Sequence, residues 1–210
     1  MLEVFDYIIL GAGINGCGIA LALCSLGRKV LVLDKAVIGA GTSSKSSRLI
    51  HGGLRYLENL EISLVREALK DRKRLLNLYP DIVHLIPFYV PVYKGSKRNP
   101  LTVRLGLILY DLLSGSLNGS SRIPKHEFSR IFPNITTEQM IAAFKYYDGK
   151  TNDLQLVRKV AQDAKLKKAK FLENAVIHEI EMSTETIKVK SNQGIFTTNV
   201  LINATGPWID

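Results

Sequence analysis

The first residues that could do chemistry are Gly11-Ala12-Gly13-Ile14-Asn15-Gly16, a G-x-G-x-x-G pattern. Alone it is weak, because any glycine-rich turn can supply it. Here it follows the apolar run Asp6 to Leu10 and opens a segment rich in Ala, Leu and Ile. An acidic residue, Asp34, follows about 20 residues on, as a dinucleotide fingerprint requires. Gly11 permits a tight strand-to-helix turn, Gly13 lets the backbone approach a pyrophosphate, and Gly16 lets the helix pack close to the strand. The helix start presents unpaired N–H groups and partial positive charge to phosphate. Asp34 can accept from ribose hydroxyls. A second glycine turn ends the apolar run Leu201 to Asn203 at Ala204-Thr205-Gly206. It fits another close backbone approach to the same cofactor, or an ordinary strand end.

The elements that must position these residues follow from periodicity. Asp6 to Leu10 and Val30 to Leu33 are short apolar runs and predict buried parallel strands. Between them a helix runs from Ile14 to Leu26 and stops at Gly27. The three make a complete βαβ unit. Gly39 to Ser47 (GAGTSSKSS) has no periodicity, and its composition predicts a flexible connector. Leu60 to Leu78 returns to helical period, with Leu64, Val65, Ala68, Leu69, Leu75 and Leu76 apolar; Arg66, Lys70, Arg72, Lys73 and Arg74 are expected on the solvated face. Pro87 to Pro100 is irregular or extended, Leu101 to Leu113 is an apolar amphipathic stretch, Gly115 to Ser121 is a loop, and Lys125 to Ile131 is a short helix. Ala142 to Tyr147 predicts a strand closed by a turn at Asp148-Gly149. Asn152 or Asp153 caps a helix reaching about Lys168. Ala175 to Met182, Thr186 to Ser191 and Ile195 to Asn203 predict three strands, the last two joined at Asn192-Gln193-Gly194.

The 210 residues are 46% hydrophobic and 22% charged, which are globular values and exclude a disordered or fibrous chain. The net charge of +9 suits nucleic acid, an anionic membrane or a phosphorylated substrate, or simply a lysine-rich solvated surface. No basic cluster alternates with stacking aromatics, so nucleic acid is the weakest of these. Cys17 and Cys24 lie two helical turns apart, about 10 Å of rise, which is too far for a disulfide. They read as small core residues of a reduced, cytoplasmic protein. No metal-ligand spacing, signal peptide or transmembrane run is apparent.

With both glycine turns in view, the chain resembles the FAD-dependent glycerol-3-phosphate dehydrogenases, members of the glutathione-reductase-like flavoprotein group that includes D-amino acid oxidase. The most distinctive match is Thr42 to Glu58 (TSSKSSRLIHGGLRYLE). Tyr147-Asp148-Gly149 with Asp153, and Asn203 to Trp208 (NATGPW), match as well. The resemblance implies an α/β fold: a glutathione-reductase-like Rossmann FAD-binding domain with part of a second, α+β substrate domain. It implies residues 1–80 as the βαβ unit and flavin-contacting loop, 81–147 as part of the substrate domain, and 148–210 as the return to the FAD-binding domain.

The resemblance turns the 39–58 connector into a segment lying along the flavin and pyrophosphate. The implied cofactor-binding residues are Gly11, Ala12, Gly13, Ile14, Asn15, Gly16, Asp34, Lys35, Thr42, Ser43, Ser44, Ser46, Ser47, Leu49, His51, Gly52, Gly53, Val176, Ala204, Thr205 and Gly206. At Gly52 and Gly53 a side chain would obstruct the flavin. Arg55 and Tyr56 are assigned to substrate, and His51, Arg55 and Tyr56 form the catalytic set. A guanidinium binds a phosphate dianion through paired hydrogen bonds. The alternative for Arg55 is a surface ion pair with Glu58 or Glu61. Asp34 departs from the group, which most often has Glu there.

The implied reaction is oxidation of sn-glycerol 3-phosphate to dihydroxyacetone phosphate. Hydride passes from C2 to flavin N5, a base removes the hydroxyl proton, and quinone takes the electrons. The implied location is cytoplasmic, with peripheral contact on the inner face of the cytoplasmic membrane. The resemblance matches only the N-terminal part of a considerably longer family protein. The expectation is therefore a truncated chain, not competent by itself, with a separately encoded C-terminal chain as an implied partner. Two alternatives stand beside it: a non-catalytic FAD-binding fragment, and another flavin oxidase of the D-amino acid oxidase group.

Overall fold

A computed structural model describes residues 3–115 and 119–207. Trp208 of the last motif and residues 116–118 of the expected 115–121 loop lie outside the described residues. The chain forms two compact units, one made of residues up to Ser47 and from Asn152 on, the other of Arg48–Thr151.

The first unit is built on a six-stranded sheet. Its strands are β1 (Glu3–Leu10), β2 (Val30–Leu33), β7 (Lys170–Leu172), β8 (Ile177–Met182), β9 (Ile187–Ser191) and β10 (Gly194–Asn203), in the order β7-β2-β1-β10-β9-β8. β7, β2, β1 and β10 run parallel, whereas β10-β9-β8 is an antiparallel meander. A parallel sheet covered on both faces gives continuous apolar strands, and β2 is buried at every residue. Phe5, Ile8, Leu10, Leu31, Leu33, Ala175, Val189 and Phe196 form one core cluster. Ile9, Val30 and Val32 alternate with these and are also fully buried. Each such side chain contributes about 1.5–3 kcal/mol relative to exposure. Helix α1 (Ile14–Ser25) packs on β1, β2 and α5 (Asp153–Leu166). Asn152 caps α5, its Oδ1 accepting from Gln155 N–H at 3.2 Å.

The second unit centres on β6 (Met140–Lys150), which pairs antiparallel with β3 (Leu49–Ile50), β4 (His84–Tyr93) and β5 (Ser121–Ile123). Helices α2 (Ile62–Leu78), α3 (Pro100–Ser114) and α4 (Lys125–Ile131) complete it. Val92, Leu107, Ala142 and Phe144 make one cluster; Ile123, Phe128, Met140 and Ala143 make another.

Several expectations change. The first division of the chain falls after Ser47 rather than after residue 80, because β3 is a strand of the β6 sheet and α2 packs on α3. The return falls after Thr151 rather than after residue 147. Residues 84–93 form a strand with a register shift between Val92 and Tyr93, the extended alternative for the stretch from Pro87; Pro87 and Pro91 are tolerated because β4 is an edge strand, pairing with β6 alone among the described residues. Asp148 and Gly149 do not turn; they continue β6 opposite Ile86 and Leu85. Helix α2 starts later than Leu60, whose left-handed φ of 59° excludes it from a helix. Strand β8 starts later than Ala175, because the N–H groups of Asn174 and Ala175 bond Ala36 and Asp34 instead. The short strands β3, β5 and β7 are additions to the expected elements.

Candidate functional site

In the first unit the carboxyl ends of β1, β2 and β10 gather Gly11–Gly16, Asp34 and Ala204–Gly206, the candidate dinucleotide residues, at the edge where open α/β sheets take ligands. Gly11 turns the chain with φ of 100°, and a Cβ there would lie 2.5 Å from Ala204 O. A Cβ on Gly16 would lie 1.9 Å from Gly11 O. Both glycines are therefore demanded by the protein's own packing. Gly13 differs: a Cβ there would meet only Ser43 Oγ, at 3.4 Å, and would otherwise fill open space at the start of α1. That helix start has no side-chain cap. Ile14 N–H donates to Ser43 Oγ at 3.2 Å, and Ile14 and Asn15 are exposed. A helix N-terminus touched by a side chain only through Ser43 Oγ, behind a glycine facing open space, is a fitting cradle for a pyrophosphate.

Asp34 has a double duty. Its Oδ2 accepts from Ala12 N–H at 2.6 Å and its Oδ1 from Ala36 N–H at 2.8 Å. The carboxylate thus ties the glycine turn to the end of β2. Each oxygen keeps a second lone pair, and the residue is only half-buried, so a ribose hydroxyl can still donate to it. Ala175 N–H donates to Asp34 O at 2.8 Å, which draws Val176 to the Asp34–Lys35 end. Both backbone polar groups of Val176 are engaged by Asn192. Ala204 N–H bonds Leu10 O at 2.8 Å, setting the second glycine turn beside the first. Thr205 N–H and Oγ1 both donate to Asn203 Oδ1.

The connector 39–47 is not a flexible tether. Gly39 N–H bonds Ala12 O, Thr42–Ser44 form a 3-10 turn, and Ser46 Oγ donates to Asp153 Oδ2 at 2.5 Å. Its composition suggests mobility, yet Gly39, Ser43 and Ser46 serve as hydrogen-bonding groups. Cys17 is fully buried and donates to Ala12 O at 3.4 Å. Burial, aided by the Asp34 charge, pushes its thiol pKa up to about 12.

In the second unit the segment 48–59 presents the remaining candidates. Leu49 and Ile50 are held as β3 against Lys150 and Gly149. Gly53 takes φ of 76° and opens a 3-10 helix over Leu54–Asn59. Gly52 and Gly53 are buried, while His51, Arg55 and Tyr56 are exposed. The His51 and Tyr56 rings meet edge-on, 6.4 Å between centroids. Glu58 pairs with Arg98 at 2.5 Å, and Arg55 has no ion pair among the described residues. The two glycines have reasons within the unit. A Cβ on Gly52 would lie 2.2 Å from Tyr110 Oη and 2.3 Å from Leu69 Cδ2, and one on Gly53 would lie 2.5 Å from the Tyr56 ring.

Behind this segment lies a buried polar cluster whose pairing no local sequence pattern announces. Arg72 was expected on the solvated face of α2. It is 5% exposed, and its Nη1 lies 2.6 Å from Asp148 Oδ1. The same Nη1 donates to Tyr110 OH at 3.0 Å. Asp148 also accepts from Gly52 N–H, at 3.0 and 3.2 Å to its two oxygens, and from Gly149 N–H at 2.9 Å. Burial drives the Tyr110 hydroxyl pKa well above its ordinary value, with the Asp148 charge adding to it. A signal was present: Val65, Leu69 and Arg72 share the i, i+4, i+7 stripe, so Arg72 occupies a core position of the helix.

The family model described as FAD dependent oxidoreductase matches residues 6–210. A protein of Synechocystis named glycerol-3-phosphate dehydrogenase is 35% identical over 98% of this chain and 40% of its own length. One of Brucella abortus named D-erythritol 1-phosphate dehydrogenase is 34% identical over 99% of this chain and 42% of its own length. The chain thus spans about two fifths of these relatives. Among solved structures, L-proline dehydrogenase from P. horikoshii superposes with a TM-score of 0.75 at 23% identity, covering 99% of this chain and 54% of that one. This last likeness speaks for the α/β fold alone. The fold, the paired glycine turns and the match over nearly the whole sequence agree: the chain belongs to the FAD dependent oxidoreductase family.

Proposed function

We propose that this chain supplies the FAD-holding half and part of the substrate site of an enzyme that oxidises sn-glycerol 3-phosphate, or a closely related polyol phosphate, to the corresponding keto phosphate. The observation that carries this reading is Arg55, exposed in the same segment as the paired His51 and Tyr56 rings, with Glu58 occupied by Arg98. Its guanidinium is available for a phosphate dianion, which it can bind through two parallel hydrogen bonds. Both relatives described above are named for phosphorylated polyols.

The residues at the sheet edge fit the cofactor: α1 and Gly13 for the pyrophosphate, Asp34 for the ribose, and Ser43 and Ala204–Gly206 alongside. Bound FAD would supply the acceptor for the hydride leaving C2. On the protein's side, Arg55 anchors the phosphate, Tyr56 hydrogen-bonds the oxygen on C2, and His51 takes its proton as C2 is oxidised. Anchoring the phosphate at a fixed distance from C2 is what turns binding into rate.

Electron transfer to quinone and peripheral membrane contact are further parts of the proposal. For contact, α3 offers exposed Leu101, Leu105, Ile108 and Leu112 on a chain of net charge +9. No helix among the described residues is long and apolar enough to cross a membrane. Turnover is proposed of this chain together with the region by which its relatives exceed it, whether on one polypeptide or on two.

The test is anaerobic addition of sn-glycerol 3-phosphate to FAD-loaded protein. A saturable spectral shift is the expected result for this chain alone, and loss of the visible flavin absorbance the expected result once the region by which its relatives exceed it is supplied. A response to amino acids and none to polyol phosphates would favour the D-amino acid oxidase type instead.

A further inference from the structure

We propose that Asp148, clamped by Arg72, is a positioning residue that sets the conformation of the His51–Tyr56 segment. The inference rests on the proposed role of His51, Arg55 and Tyr56 in holding substrate. Gly52 is the pivot. Its N–H donates to both oxygens of Asp148, and the face that would carry its Cβ is pressed against Tyr110 and Leu69. The residue before it and the 3-10 turn after it carry the three exposed side chains. Fixing Gly52 therefore fixes the chain direction from which His51 departs on one side and Arg55 and Tyr56 on the other.

A carboxylate buried to this degree needs a counter-charge, and Arg72 provides it. Asp148 Oδ1 serves Arg72, Gly52 and Gly149 at once, while Oδ2 serves Gly52 again. An amide in its place has one oxygen for three donors and turns an NH2 group toward Arg72 or Gly52. A pair kept only for stability would be replaceable by apolar side chains of similar volume. One kept for position would not be, because Gly52 N–H would lose its acceptor.

Two variants of the full chain separate these cases: Arg72→Met with Asp148→Leu, and Asp148→Asn alone. Amide hydrogen exchange is read residue by residue, and sn-glycerol 3-phosphate is titrated into the FAD-loaded protein. In the double variant the Gly52 amide is expected to exchange at least about ten-fold faster, as loss of a charge-assisted hydrogen bond predicts. The Phe144 amide in the β4–β6 ladder stays protected. The half-saturating sn-glycerol 3-phosphate concentration rises by about ten-fold or more, as misplacement of the anchor predicts. Asp148→Asn keeps the shape and one acceptor oxygen but leaves Arg72 without its counter-charge; the same changes are expected there, and protection of the Phe144 amide distinguishes a displaced Gly52 from a variant that has lost its fold. A folded variant with unchanged Gly52 exchange and unchanged substrate response overturns the inference. A wild-type protein that binds FAD but ignores sn-glycerol 3-phosphate, with Gly52 still exchanging faster in the variants, overturns the substrate reading while the positioning of 51–56 stands.

Discussion

The glycines of the first turn separate packing from ligand binding at the scale of single residues. Gly11→Ala places a methyl against Ala204 O at a left-handed φ. It is expected to cost about 2 kcal/mol or more in denaturant unfolding. Gly13→Ala adds a methyl only to open space beside Ser43. It should leave the midpoint within about 0.5 kcal/mol, the range of innocuous substitutions, yet weaken FAD binding in a fluorescence titration. Cys17 gives a pH prediction. Its thiol has an ordinary value of 9.0 and is raised to about 12 in the folded chain. Between these values the unfolded chain has lost a proton that the folded chain keeps, so this group's contribution to stability falls as pH rises. Tyr146 acts in the same sense, from 10.0 to about 12, chiefly through burial. Urea midpoints across this range should fall less steeply in Cys17→Ala, and wild-type Cys17 should resist alkylation until unfolded. An equal slope in the variant would remove Cys17 from the account. For Arg55→Met, the half-saturating phosphate-ester concentration should rise by about ten-fold or more, with FAD affinity intact.

Helix α2 shows how an element conceals a site residue. Its stripe runs Val65, Ala68, Leu69, Arg72, Leu75 and Leu76, and a basic residue in that series looks solvated when charge alone is weighed. Removing one member of the buried Arg72–Asp148 pair should cost about 3–5 kcal/mol, whereas Arg72→Met with Asp148→Leu should cost far less. Thermal or urea unfolding of the two single variants and the double variant checks the order. Asn152→Ala, which removes the α5 cap, should cost about 1 kcal/mol in the same measurement. The βαβ unit was legible in the sequence because its signals are local: an apolar strand, glycines, a helix and an acid within one short stretch. The Asp148 cluster was not, because its partner Arg72 lies 76 residues away and no local pattern links them. Likewise β3, β5 and β7 are two or three residues long and take their form from partner strands.

At the scale of the whole chain, the sequence passes through the first unit, leaves at Ser47 and returns at Asn152. Gly11–Gly16, Asp34 and Ala204–Gly206 lie in one unit and Arg55 and Tyr56 in the other, so substitutions at Gly13 and at Arg55 should act separately on cofactor and substrate affinity. The net charge of +9 and the exposed α3 leucines predict co-sedimentation with anionic vesicles that weakens as salt rises. Leu105→Glu with Leu112→Glu should reduce it, and unchanged sedimentation would exclude α3 as the contact. The central claim is that the turn at Gly11–Gly16, braced by Asp34 and Ala204, holds FAD. Titration of FAD into the purified 210-residue chain tests it most directly. Saturable binding of one FAD per chain, weakened by Gly13→Ala without loss of fold, is the predicted result. A folded, colourless chain that takes up no FAD would contradict it.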